Sequence, residues 1–177
     1  MVDAPTLTKL IEHELTLVRD ERVVKHVRTL LVPPYVEERG WDYGEPGQTF
    51  PCWIVLDDRA GSDTDIAYCE FGFGPKRPWG LLCADNSGGR GTIGMDSGWF
   101  ATFMDAVFES FPATALPIWR VFLRTGEWLG LPLTHEMAWD EAWAACKAAR
   151  TSDPASNYVV HHTIPYGAAT GSKGDEP

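Results

Sequence analysis

Gly89, Gly91 and Gly94 stand at the G-x-G-x-x-G spacing of a dinucleotide-binding fingerprint, just after a run that reads as a strand. In that motif the last glycine already lies inside the helix whose N-terminal amides hold the pyrophosphate, within a parallel βαβ unit. Here Met95-Asp96-Ser97 intervene before the next helical pattern, and Glu109, at about the distance of a ribose-binding acid, falls in mid-helix. The glycines therefore read as a hairpin or loop, and no cofactor is implied. Asp57, Asp58, Asp63 and Asp65 are spaced loosely as calcium ligands would be, but an EF-hand loop needs glycine at its sixth position and glutamate at its twelfth. A solvated hairpin loop is the expectation there. His161-His162 would point to opposite faces of a strand, and His135-Glu136 lacks a second histidine four residues on, so both sites read as surface histidines and no metal is expected. Cys52, Cys69, Cys83 and Cys146 contain no Cys-x-x-Cys pair and read as buried neutral thiols, the first three within apolar strands. A Gly-x-Ser-x-Gly elbow and a phosphate-binding loop are both missing.

One constellation could form a surface site. Trp41-Asp42-Tyr43-Gly44 closes one strand, Glu70-Phe71-Gly72-Phe73-Gly74-Pro75 leads into Arg77-Pro78-Trp79-Gly80, and Gly94-Met95-Asp96-Ser97-Gly98-Trp99 precedes a helix. If these segments meet at one sheet end, Trp41, Asp42, Tyr43, Glu70, Arg77, Trp79, Asp96 and Trp99 are the candidate binding residues. Tryptophan and tyrosine anchor interfaces, and glycine lets backbone approach a ligand or partner. The competing reading is that the aromatics fill the core and the glycines only turn the chain.

The elements that must position these residues follow from periodicity. Leu7, Leu10, Ile11, Leu15 and Val18 predict an amphipathic helix over about 6–19 with Thr6 or Thr8 as cap; Asp20 caps a second, which Pro33-Pro34 ends. Extended runs follow at about 35–43, 49–57, 65–71 and 78–83, joined by connections too short for parallel crossovers, so the sheet is an antiparallel meander. Trp99, Phe100, Phe103, Met104, Val107, Phe108 and Phe111 predict a central Phe-rich helix from Ser97 to Pro112. A hairpin over 118–124 and 128–133, a helix over 138–150 and an extended arm over 151–177, in which Tyr158–Ile164 could add a strand to an open edge, complete the chain. The expectation is an α+β fold, with residues 1–150 as a single domain.

The net charge of −10 and pI near 4.8 disfavour a nucleic-acid backbone or an anionic membrane as partner, since both are bound through Lys and Arg. No stretch approaches the ~20 apolar residues of a membrane span and the start lacks the pattern of a secretory signal, which predicts a cytoplasmic protein.

Phe50-Pro51-Cys52-Trp53, the run Ile66 to Pro75, Pro78-Trp79-Gly80-Leu81 and Met95-Asp96-Ser97-Gly98-Trp99-Phe100 resemble segments of small uncharacterised bacterial single-domain proteins, over about residues 20–145. The resemblance implies a bacterial, cytosolic origin and transfers no catalytic or binding residue. From charge, size and the lack of a catalytic set, the expectation is a non-enzymatic, immunity- or antitoxin-like module that binds a basic protein. The alternatives are a small enzyme or small-molecule binder, with Asp42, Glu70 or Asp96 as acid or base and Arg77 as anion clamp, or a subunit pairing through an open strand edge.

Overall fold

The computed structural model describes residues 2–58, 61–62, 64–83, 92–94 and 97–166. The fold is α+β, and its helices and strands divide into two compact units: Met1–Pro112 with Pro165–Pro177, and Ala113–Ile164.

The first unit opens with α1 (Ala4–Thr16) and α2 (Glu21–Leu30). Helix α1 starts earlier than its apolar period suggests, because the Asp3 carboxylate, not a threonine, caps it by accepting from the Thr6 N–H at 2.9 Å. Asp20 caps α2 as expected, accepting from the Arg22 N–H at 2.9 Å. Leu7, Ile11 and Leu15 on α1 and Val23 and Val27 on α2 are buried, each worth about 1.5–3 kcal/mol for a fully buried aliphatic side chain.

The sheet follows as β1 (Leu31–Gly40), β2 (Thr49–Asp57), β3 (Thr64–Tyr68), β4 (Trp79–Cys83) and β5 (Gly98–Phe100), in spatial order β1-β2-β3-β4-β5. Every pairing is antiparallel, so the meander is as expected. Strand β1 runs through Pro33-Pro34 instead of beginning after them. It is the edge strand and its register shifts between Leu31 and Tyr35, so the missing amides remove little ladder.

The two faces of this sheet are buried differently. On one, Tyr68 and Trp79 lie opposite each other, with ring centroids 5.0 Å apart, and Trp79 meets Phe103 of α3 (Phe103–Glu109) at 5.2 Å. The Glu14 carboxylate of α1 accepts from the Phe103 and Met104 N–H groups at 3.1 and 3.0 Å, tying the two helices together. The other face is turned inward. The Ile93 N–H donates to the Gly40 carbonyl at 2.8 Å and the Asp42 N–H to the Ile93 carbonyl at 3.1 Å, so the segment beyond β4 returns beside the end of β1 and the sheet curls on itself. Cys52, Ile54, Ala67, Cys69, Leu82, Ile93 and Trp99 fill that interior.

The Phe-rich helix is shorter than its periodicity predicts. Gly98–Phe100 pairs with β4 as β5, Thr102 caps the helix by accepting from the Asp105 N–H at 3.0 Å, and Phe111 is exposed. A helical stripe and a short strand followed by a capped helix place the same apolar residues inward, and the free edge of β4 decides between them.

In the second unit, β6 (Trp119–Thr125), β7 (Trp128–Pro132) and β8 (Tyr158–His162) form a sheet in the order β7-β6-β8, with α4 (Trp139–Ser152) between β7 and β8 in sequence. Gly126, at φ 60°, turns β6 into β7. Strand β8 completes the free edge of β6, and the Arg150 guanidinium fastens α4 to it by donating to the Tyr158 carbonyl at 2.6 and 3.0 Å. Among the described residues no helix is long and apolar enough to cross a membrane.

Candidate functional site

One end of the curled sheet is an aromatic cluster. The Trp41 ring, half-buried, packs on the backbone of Gly72, where a side-chain carbon would approach it to 3.0 Å, and Gly72 turns there at φ 66°. Around Trp41 stand Tyr43 at 5.1 Å, Phe73 at 5.3 Å and Phe50 at 5.8 Å between ring centroids. Phe50 stacks on Phe71 at 5.2 Å and 15°, and Phe73 reaches Trp99 at 5.6 Å. The outer members remain in solvent: Tyr43 is 59% exposed, Phe71 40% and Phe73 38%.

Of the residues the sequence singles out, Trp41, Tyr43 and Trp99 join this cluster, with Trp99 at its buried base across Gly80. Trp79 does not. It follows the alternation of β4 onto the opposite, helix-covered face and is fully buried. Asp42 packs against Gly94, whose added side-chain carbon would come within 2.5 Å of the Asp42 carboxylate. Glu70 accepts from the Val2 N–H at 3.3 Å, and Arg77 is exposed on the loop before β4. Asp96, Gly89 and Gly91 lie outside the described residues. The glycines Gly72, Gly80 and Gly94 receive the protein's own Trp41, Trp99 and Asp42 side chains, a packing use of the space expected for a ligand.

Behind the aromatics, the interior holds a charged pair that the sequence places elsewhere and two thiols that are buried as expected. Arg39, 2% exposed, donates to Glu37 at 2.7 Å, to Asp65 at 3.3 Å and to the Cys83 carbonyl at 3.2 Å. Asp65, expected in a solvated loop, is 0% exposed within β3; the alternation of that strand turns it inward to the arginine. The Asp58 carboxylate does serve the loop, accepting from the Ser62 hydroxyl at 2.6 Å.

Cys52 and Cys69 are both fully buried and free, whereas Cys83, which ends β4 as expected, is exposed and not buried. The neighbouring Cys52 thiol, with the Phe71 backbone amide, pulls the Cys69 thiol below its ordinary value, while Cys69 and burial push Cys52 up. Of the two thiols, Cys69 is the one whose surroundings favour the thiolate.

In the second unit, His162 also departs from the surface role expected of it. It is 8% exposed, lies edge-on to Trp119 at 5.7 Å, and its Nδ1 accepts from the Ile164 N–H at 3.2 Å. Burial, with His161 stacked at 4.9 Å, lowers its pKa to about 4.

No family model, curated protein or solved structure matches the chain. The site is therefore characterised by its own geometry.

Phe50, Phe71 and Phe73 are the members of the cluster that the sequence reading left out of its binding set. Phe50 is separated from Phe71 by two strands' worth of chain, and only the β2–β3 register brings them together. The signal that could have found them is the alternation Phe50-Cys52-Ile54 against Phe71-Cys69-Ala67, which puts three matched pairs on one face.

Proposed function

We propose that the chain is a non-enzymatic protein-binding module whose aromatic sheet end captures a basic segment of a partner protein, in the manner of an immunity or antitoxin protein. The observation that carries this reading is the exposure of Tyr43 and Phe73, which meet each other and half-buried Trp41, and of Phe71, which joins the same cluster through Phe50. Exposed apolar surface of this kind is costly to solubility and marks interaction sites, and rigid aromatic rings on a packed base are the usual anchors of an interface.

Charge supports the choice of partner. Residues 113–164 hold four of the fifteen Lys and Arg and five of the twenty-five Asp and Glu, a formal −1, so the remaining residues carry −9. The patch therefore belongs to the acidic unit, with Glu38, Asp42 and Glu45 exposed on its segments. Such a field speeds encounter with a basic surface, while the rings hold it after contact. The resemblance to small bacterial proteins supports a bacterial cytoplasm as the setting for this binding.

The test is crosslinked capture from a bacterial lysate with the wild type and with a Tyr43→Ala/Phe73→Ala double variant, followed by calorimetry of the purified pair. The reading expects a partner lost from the variant, with affinity falling as salt rises. A partner retained equally by the variant, or affinity unchanged by salt, overturns it.

A further inference from the structure

We propose that Cys52 and Cys69 are a redox-active pair that closes to a cross-strand disulfide when the protein meets a peroxide. The register of β2 and β3 sets Trp53 opposite Tyr68, so one step further along the antiparallel ladder sets Cys52 opposite Cys69. The Cys69 N–H donates at 2.8 Å to the Pro78 carbonyl, on the side away from β2. In an antiparallel ladder a residue's N–H and C=O point the same way, so Cys52 and Cys69 form a non-hydrogen-bonded pair. Such pairs bring their Cα atoms to about 4.5 Å, inside the range of about 4.4–6.8 Å that a disulfide spans. The two side chains share the inward face with Ile54 and Ala67, and each thiol perturbs the protonation of the other.

The chemistry is a two-electron oxidation in two steps. The Cys69 thiolate attacks one peroxide oxygen and breaks the O–O bond, leaving a sulfenic acid and releasing hydroxide, which takes up a proton to become water. The Cys52 sulfur then attacks the Cys69 sulfur, losing its thiol proton and expelling the sulfenic oxygen as the second water. In all, two thiols become one disulfide and hydrogen peroxide becomes two waters. Cys69 is suited to the first step because the adjacent Cys52 thiol and the Phe71 backbone amide lower its pKa and so favour the thiolate. Cys52 is the resolving thiol by position. Both are fully buried, so oxidation requires local opening at the end of β3, where the chain leaves the ladder after Tyr68. Phe50 and Phe71 stack one row further along the same face, so the bond would close directly behind the aromatic patch.

The experiment uses the full chain carrying Cys83→Ser, since exposed Cys83 would otherwise couple two chains. The protein is treated with hydrogen peroxide, unfolded in an alkylating agent and weighed. The expected result is loss of two of the three remaining alkylatable thiols, a mass lower than that of the reduced, alkylated protein by two alkyl groups, and a Cys52–Cys69 linked peptide that dithiothreitol releases. In a further Cys52→Ser variant, dimedone should label Cys69 as the trapped sulfenic acid; in Cys69→Ser, Cys52 should stay unlabelled. Full alkylation of all three thiols after peroxide, or a link to Cys146, overturns the proposal. Dimedone labelling of Cys52 in place of Cys69 overturns the assignment of roles. Both cysteines are intact in the Cys83→Ser chain, so the linked peptide decides the matter even if the further Cys52→Ser or Cys69→Ser variant fails to fold.

Discussion

Arg39 in the first unit and His162 in the second are buried to a similar degree, yet one keeps its charge and the other gives it up. The difference lies in what each finds on burial. Arg39 meets two carboxylates, Glu37 and Asp65, and a carbonyl. A guanidinium cannot shed its proton near neutral pH, so only such partners make its burial tolerable. His162 meets the Trp119 ring, a neighbouring histidine and an N–H that needs an acceptor. The neutral imidazole satisfies that N–H, and desolvation then pushes the pKa down. Burial alone therefore does not decide protonation; the local donor and acceptor set does.

The largest expected effect tests the charged member of this comparison. Asp65→Ala removes the fully buried counter-charge of Arg39, leaving it the partly exposed Glu37 and the Cys83 carbonyl, and should cost about 3–5 kcal/mol in urea unfolding. Replacing both, as Arg39→Met/Asp65→Leu, should recover most of that loss, because the charge and its counter-charge leave together. A double variant as unstable as the single one would break the comparison.

Next comes the neutral member. The folded pKa of His162 near 4 lies below the ordinary 6.5, so between those values the unfolded chain binds the proton that the folded chain refuses. Its stabilisation is complete above pH 6.5 and is lost as pH falls to about 4, by about 3 kcal/mol. His162→Asn, which keeps an acceptor for the Ile164 N–H, should lower stability at neutral pH but flatten the decline between pH 6.5 and 4 in thermal melts. An equally steep decline in the variant would assign that window to other groups.

Glu14 sharpens the comparison from a middle position. Its carboxylate accepts from two amides of α3, which favours the charge, but desolvation outweighs them and raises the pKa. The raised value means that its contribution is greatest below the unfolded pKa and declines as pH rises through the folded one. Glu14→Gln should therefore cost no more than about 1 kcal/mol at neutral pH, with a larger gap to wild type in acid, read from urea midpoints at the two pH values.

The smallest expected effect on stability belongs to the rings that remain partly in solvent. Tyr43→Ala and Phe73→Ala should each change unfolding by less than about 1 kcal/mol, in contrast to about 3–5 kcal/mol for Trp79→Ala on the helix-covered face. A loss at Tyr43 as large as that at Trp79 would show the aromatic end to be core.

Much of the fold is legible in the chain because local chemistry repeats it. Asp20 before the Val23/Val27 stripe, the turn around Gly126 and the limits Thr49 and Asp57 of β2 are all read correctly from types and spacing. The errors fall where two local answers are compatible with the same burial. Gly98-Trp99-Phe100 suits a helix or a strand, and Pro33-Pro34 stops a helix without forbidding an edge strand. For the site, the aromatic and glycine types were legible, but not which rings lie outside: Trp79 and Trp99 are adjacent in the sheet region and share a residue type, yet register sends them to opposite faces.

The sequence by itself determined the α+β class, the antiparallel meander and the acidic balance, because periodicity, turn residues and charge act over a few neighbours at a time. Only the tertiary structure decided that Asp65 would meet Arg39, that Cys52 would face Cys69, and that Tyr43, Phe71 and Phe73 would share one surface. Those pairings join residues that are distant along the chain, and they depend on strand register and on the curl of the sheet, which arise when all the strands pack at once.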